Sequence, residues 1–163
     1  HKEIKMSNIN TIMEGGDTIS GSLAECYYTL KGRRYNGMQF VSVEAKVTKT
    51  KKEVPILGKT GKANKGTGWK GTGSGKMHYC SSEFRMAMLD YVKNGKDFYF
   101  DMQISNEDPT SKAGRQTVIL KNCNMDSLIL AKFDADSDII DEDFDFTFDD
   151  VEIPEVFKEL AGM

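Results

Sequence analysis

Three cysteines in 163 residues, Cys26, Cys80 and Cys123, are too few and too scattered for a disulfide framework, and they suit buried thiols in a reducing compartment. There are only two histidines, His1 and His78, so no Ser/His/Asp or Cys/His arrangement can be assembled, and an enzyme is not expected. Prolines number three and tryptophans one, while the net charge of −3 provides no global field towards nucleic acid or an anionic membrane. No apolar run approaches the about 20 residues that span a bilayer, and the first residues carry no signal-peptide apolar stretch. A cytosolic site of synthesis is the expectation. His1–Lys5, ahead of Met6, fit an expression remnant or a natural start equally and are left out of the fold reasoning.

What the chain does have is charge separated along its length. Nine lysines lie between Lys46 and Lys76 against one acid, Glu53. Twelve acids lie between Asp134 and Glu159 against Lys158 alone. The length fits one domain, able to bury roughly 70% of its unfolded surface. Residues 1–22 are polar and glycine-rich and are expected to form an N-terminal arm, with a single β domain over 23–163.

The tightest local pattern runs from Trp69 to Ile104 as strand, helix, strand. Lys76–Cys80 reads as a strand, and Ser81 or Ser82 as the helix cap, with Glu83 in the first turn against the positive end of the helix dipole. Phe84, Met88, Leu89 and Val92 share an apolar face, and Gly95 can take the left-handed stop. The period then becomes two, with Phe98, Phe100, Met102 and Ile104 on one side. Elsewhere strands are expected at Ala24–Leu30, Gln39–Thr50, Arg115–Asn122, Ser127–Phe133 and Asp143–Val151, with a turn at Lys31–Arg34. In the last of these strands Phe144, Phe146 and Phe148 alternate with Asp143, Asp145 and Thr147. Pro154 should end it, and Glu155–Ala161 should form a short helix. Leu57–Gly75, rich in glycine and lysine, reads as an extended loop between two strands, longer than most connections. The expected class is mainly β: a β-sandwich or barrel with one flanking α-helix and a long hairpin loop.

The glycines invite nucleotide readings, and these fail on position. A P-loop ending at Gly75-Lys76 would have Lys70 for its first glycine and Met77 for its hydroxyl, and one ending at Gly58-Lys59-Thr60 would begin with Glu53. Gly66-Thr67-Gly68-Trp69-Lys70-Gly71 matches G-x-G-x-x-G but leads into more glycine and a strand instead of opening a helix. Lysines interleaved with Trp69 suit phosphate contact and base stacking, yet a nucleic-acid binder usually carries a whole basic face. Asp134, Asp136 and Asp138 imitate the start of a calcium loop, but Ile139 stands where glycine is needed and Asp145 where the bidentate glutamate belongs. His78 and Cys80 share a strand face without a second ligand pair for zinc. Neither a metal nor a cofactor is expected.

Separated charge clusters are commonly just solvated faces of a monomer. The competing use is assembly, because a cationic projection and an acidic surface on one protomer are complementary between copies and favour head-to-tail contact. The candidate inter-subunit residues are Lys59, Lys62, Lys65, Trp69 and Lys70. The candidate acidic partner or lumen surface is Asp97, Asp101, Asp143, Asp145 and Asp149. The alternative is a monomeric ligand- or nucleic-acid-binding β-barrel.

Several short motifs recur together and in order: Gly66-Thr67-Gly68-Trp69-Lys70-Gly71-Thr72-Gly73, Phe84-Arg85, Tyr91–Asp97, Asn106–Ser111, Gly114–Thr117 and Phe146–Glu152. With them the chain, from about Ala24 to about Phe157, resembles the tail tube proteins of PBSX-like prophages and contractile-tail bacteriocins. The resemblance implies a β-sandwich with a flanking helix, six protomers per ring, and rings stacked into a hollow tube within a contractile sheath. It implies sheets joined edge to edge with one face lining the lumen, and no catalytic residues. The expected partners are other copies, sheath, tape-measure, baseplate and tube-terminator proteins, without membrane anchoring or sequence-specific nucleic acid. The expected location is the bacterial cytoplasm and then a released phage-tail-like particle. A secreted tube subunit of a type VI-like system is a closely related possibility.

Overall fold

A computed structural model describes residues 24–158 apart from Met38, Cys80, Ser81 and Ser137. The expected N-terminal arm, and residues 159–161 of the expected last helix, lie outside the described residues. The chain order is β1 (Ala24–Leu30), β2 (Arg33–Asn36), β3 (Phe40–Pro55), β4 (Lys62–His78), α1 (Glu83–Asn94), β5 (Phe100–Glu107), β6 (Arg115–Ser127), β7 (Asp141–Phe148) and β8 (Asp150–Glu155).

All strand pairs are antiparallel, in the order β2-β1-β5-β6-β7-β4-β3, with β8 also on β6. β6 makes the corner of a sandwich. Its first part pairs β5 and β8, whereas Asn124–Ser127 pair β7. The bend falls at Asn122, a non-glycine residue at φ 53, where asparagine is among the side chains that tolerate the left-handed region. One long strand therefore replaces the expected pair Arg115–Asn122 and Ser127–Phe133. Past Ser127 the chain is an irregular loop: the Tyr79 hydroxyl donates to the Leu130 carbonyl at 3.4 Å, and Lys132 Nζ donates to the Asp141 carbonyl at 2.6 Å.

The core lies between the two sheets and under the helix. Phe100, Met102 and Leu120 from one sheet meet Phe144, Phe146 and Phe148 from the other, with Tyr28, Phe84 and Ala87 closing the end. Phe84 packs edge-on to Phe100 at 5.1 Å between ring centroids, a favoured aromatic geometry. Phe84 and Ala87 are the helix residues that become buried, while Leu89 and Val92, expected on that face, remain exposed. Gly95 does take the left-handed stop, at φ 67, donating to the Tyr91 carbonyl. The Ser82 hydroxyl makes no cap bond.

The largest departure from expectation is the glycine-rich segment. Residues 62–75 belong to β4, and β3 and β4 pair from Phe40↔Met77 out to Pro55↔Lys62, leaving only residues 56–61 as the turn. Gly71, Gly73 and Gly75 are required here by packing. A Cβ on them would lie 2.4 Å from the Phe148 ring, 2.2 Å from the Phe146 ring and 2.6 Å from the Phe144 ring. Each phenylalanine lies in register with its glycine across the β4–β7 pair. The rings occupy the space that side chains on β4 would have filled.

The end of the chain also differs. The expected strand Asp143–Val151 is two strands, broken at Asp149, whose N–H donates to the Lys121 carbonyl. Pro154 does not stop the second. It lies within β8, at the irregularity between Thr117 and Ile119 of β6, where a missing N–H costs no ladder bond.

These contacts separate the glycines into two kinds. Gly73→Ala should destabilise the protomer by about 1–3 kcal/mol through overpacking against a fully buried ring. Gly68→Ala meets open space and no positive φ, and should be neutral or stabilise by up to about 1 kcal/mol. Urea unfolding of the two variants measures the contrast.

Candidate functional site

The expected inter-subunit residues all sit on the outer half of the β3–β4 hairpin, where both strands are almost wholly exposed. The arm is set off by an irregularity between Thr50 and Lys51, opposite Thr67, whose hydroxyl donates to the Thr50 carbonyl at 3.2 Å. Trp69 marks its base. Opposite Lys49 and 6.3 Å from Phe148, it is the last aromatic in contact with the core rings and is still half exposed. Lys70 faces Thr48 across the ladder, and Lys65 faces Lys52. Two lysines directly opposed on a β pair repel one another. Lys62 approaches Glu53 at 3.7 Å with both side chains well exposed, a contact of little energetic weight. Lys59 lies in the turn, its N–H donating to the Ile56 carbonyl beside Gly58 at φ 85.

The expected acids divide between two places. Asp143 and Asp145 alternate with the buried phenylalanines and therefore project from the outward face of β7, opposite Lys76 and Ser74 of β4. Ser127 Oγ donates to Asp145 at 3.5 Å. The other three gather around the corner in β6. Asp97 accepts from Asn124 Nδ2 at 3.0 and 3.1 Å and from the Phe98 N–H at 2.9 Å. Asp101 accepts from the Asn122 N–H at 3.1 Å, and Asp149 binds the next carbonyl, that of Lys121, through its own N–H. Asp101 thus holds the backbone of the bend at Asn122, and Asp97 holds the side chain of Asn124 beside it.

Sequence reasoning missed two polar arrangements. Lys121 binds Glu152 at 2.9 Å, and this hydrogen bond, with Asp101 and Asp150 nearby, raises the affinity of its ammonium for the proton. Glu142 is the second. The alternation that buries Phe144, Phe146 and Phe148 places Glu142 on the same inward side, 1% exposed, where Arg85 meets both its oxygens at 2.7 and 2.8 Å. Arg85 also lies 4.2 Å over the Tyr79 ring, so helix and sheet are clamped through one guanidinium. The inward period was visible in the sequence; its charged member was counted only among the acids.

His78, weighed with Cys80 as a metal pair, instead has Nδ1 at 2.6 Å from Asp141, and Cys80 lies outside the described residues. Among the described residues no group of three or more His, Cys, Asp or Glu side chains converges as metal ligands. Asp134 accepts the Asp136 N–H at 3.1 Å, a local turn in the acidic connector. Burial pushes the Cys26 and Cys123 thiols up to about 12, which keeps both protonated and poorly reactive. Among the described residues no helix is long and apolar enough to cross a membrane.

A family model described as phage tail tube protein matches residues 11–155. The phage-like element PBSX protein XkdM of Bacillus subtilis is 41% identical over 116 residues, covering 71% of this chain and 79% of that protein. In solved structures, a chain of the anti-feeding prophage tube-terminating cap superposes with a TM-score of 0.63 at 15% identity, covering 92% of this chain and 98% of the other. A chain of the sheath–tube complex of an extracellular contractile injection system, in the extended state, gives 0.60 at 14% identity, covering 96% and 100%. At these identities the structural likeness shows a common fold.

The clamp makes a prediction for the protomer. Arg85→Ala leaves a buried carboxylate without its partner and should cost about 3–5 kcal/mol. Replacing both residues, Arg85→Met with Glu142→Leu, should restore most of that loss, read by denaturant unfolding of the single and double variants.

Proposed function

The chain belongs to the phage tail tube protein family, and on that premise we propose that six copies close into a ring whose stacked repeats form the inner tube of a contractile phage-tail-like particle. The role is structural and not enzymatic, and no cofactor takes part. The observation that carries the reading is the hairpin arm. It extends beyond the core and opposes Lys52 to Lys65 across its own ladder, so an acidic surface on another copy would relieve its repulsion. Among the described residues the strand order also leaves β2, β3 and β8 each paired on one side only. Edge-to-edge pairing with neighbours in a ring satisfies those backbone groups and removes the aggregation hazard of exposed edges.

Lys59, Lys62, Lys65, Trp69 and Lys70 form the inter-subunit contact in this reading. Its acidic counterpart is the rim around the β6 corner, with Asp97, Asp101 and Asp149. The outward face of β7 is the proposed lumen wall. There Asp143 and Asp145 alternate with Thr147 beside Ser74 and Thr72 of β4, and Lys76 opposite Asp143 balances part of the charge. A polar wall with little net positive charge lets DNA, a tape-measure protein or an effector pass without adhering. The outside of the tube would meet the sheath, and its ends the baseplate and terminator proteins. Assembly takes place in the bacterial cytoplasm, and the finished particle is released on lysis.

Reversing Lys59, Lys62 and Lys65 together to Glu should abolish polymerisation and leave soluble protomers with unchanged circular dichroism. Light scattering and negative-stain microscopy decide the matter, and normal tubes from the triple variant would show that the charge of the arm is incidental.

A further inference from the structure

Phe133 is 88% exposed, the most open aromatic side chain among the described residues. Its neighbours in the loop after β6 are tied down: the Tyr79 hydroxyl donates to the Leu130 carbonyl, and Lys132 Nζ donates to that of Asp141. The ring is therefore presented outward from an anchored loop. A phenyl side chain brings about 150–250 Å² of surface to any contact that covers it. Acids follow it directly, at Asp134, Asp136 and Asp138.

The molecule contains a receptor of complementary chemistry. A cleft of about 370 Å³ lies between the β1–β2 hairpin and the first turn of α1, walled mainly by the apolar surfaces of Leu30, Tyr35 and Met86. Lys31 is the cation in its lining, and Arg33 lies 5.0 Å over the Tyr35 ring. Lys31 and Gly32 both take the left-handed region, at φ 53 and 77, as a tight two-residue hairpin turn requires, so the cations sit on a fixed tip. Glu83 also lines the cleft, and its Oε2 is buried without a hydrogen-bond partner. A buried carboxylate oxygen in that state calls for a donor, and a backbone N–H of an inserted segment supplies one.

Within one protomer the helix separates ring and cleft. Arg85 reaches Tyr79 and Glu142 on the side of the Phe133 loop, whereas Glu83 and Met86 line the cleft beside the β1–β2 hairpin. Phe133, exposed as it is, does not occupy its own protomer's cleft.

We propose that Phe133 of one protomer seats in the cleft between the β1–β2 hairpin and α1 of a second, with Asp134 against Lys31 and a loop N–H on Glu83. The ring covers Leu30, Tyr35 and Met86, and the acids that follow it meet the cations of the β1–β2 turn. Two different surfaces come together, so the contact is heterologous and repeats along an assembly. It rests on the reading that copies assemble, and it uses neither the β3–β4 arm nor the sheet edges. It accounts for an exposed aromatic ring and an unsatisfied buried oxygen that the arm leaves unexplained.

For the test, two full-length variants, Phe133→Cys and Met86→Cys, are mixed, assembled and oxidised with copper phenanthroline. Each new thiol is on a different chain, so a peptide joining positions 133 and 86 reports contact between copies. The proposal expects that peptide, in covalent dimers; normal tubes without it would overturn the proposal. The same link formed within dilute single chains carrying both substitutions would overturn it as well. A second measurement needs no thiols. Phe133→Ala should raise the concentration required for assembly by about tenfold and leave urea unfolding of the protomer unchanged, because the ring is exposed there. Lys31→Asp and Asp134→Lys should each weaken assembly, and the double variant should return it towards that of the unmodified chain. An unchanged threshold for Phe133→Ala, or absence of rescue in the double variant, contradicts the contact. Failure of the unmodified chain to form tubes would instead defeat the assembly reading on which it depends.

Discussion

Three phenyl rings resting on three glycines hold the architecture together. Phe144, Phe146 and Phe148 of β7 lie over Gly75, Gly73 and Gly71 of β4, with no room for a Cβ at any of the three. Because the glycines have no side chains to offer the core, the rings supply the packing for both strands. The rings in turn face Phe100, and Phe100 faces Phe84 of the helix. A change at the glycine ladder is therefore transmitted through one aromatic chain to the helix. The same ladder defines where the core ends. Trp69, two residues beyond Gly71, makes the last aromatic contact, and among the described residues β3 and β4 continue outward without a packed partner.

That division explains the charge pattern. A two-stranded ribbon is marginal by itself in water, and this one carries opposed lysines and an exposed leucine that weaken it further. Such an element is retained at a cost to the isolated protomer, and it is stabilised when another surface covers it. The open edges at β2 and β3 lead to the same conclusion from backbone hydrogen bonding. Membership of the tail tube family fits both, and in the proposed assembly neighbouring copies cover the open edges and the apolar turn.

Much of the sandwich was legible in the sequence because its signals are local. Ala24–Leu30 emerged with the expected bounds, Gly95 ended the helix, and the Phe144–Phe148 alternation identified an inward face. The glycine ladder was misread as a loop because glycine near lysine is ordinarily a breaker signal, and the rings that justify it lie some seventy residues further along the chain. Register with β7 turns a turn-like composition into a strand, and no short window contains that register. The same limitation hid Glu142, whose partner Arg85 is on the helix, and the corner at Asn122, where one strand serves two sheets. Of the candidate site, Lys59 lies in the hairpin turn while Lys62, Lys65 and Lys70 lie on β4 and not in a loop, and the acids divide between the β7 face and the β6 corner.

The central claim is that the outer hairpin is built for a neighbouring copy and gains its stability there. Hydrogen exchange of the amides in residues 49–66, followed in dilute protomers and in assembled protein, tests this directly. The account expects rapid exchange in the protomer, while Phe144–Phe148 amides remain protected, and marked slowing of the arm on assembly. Equal protection of the arm in both states would contradict it.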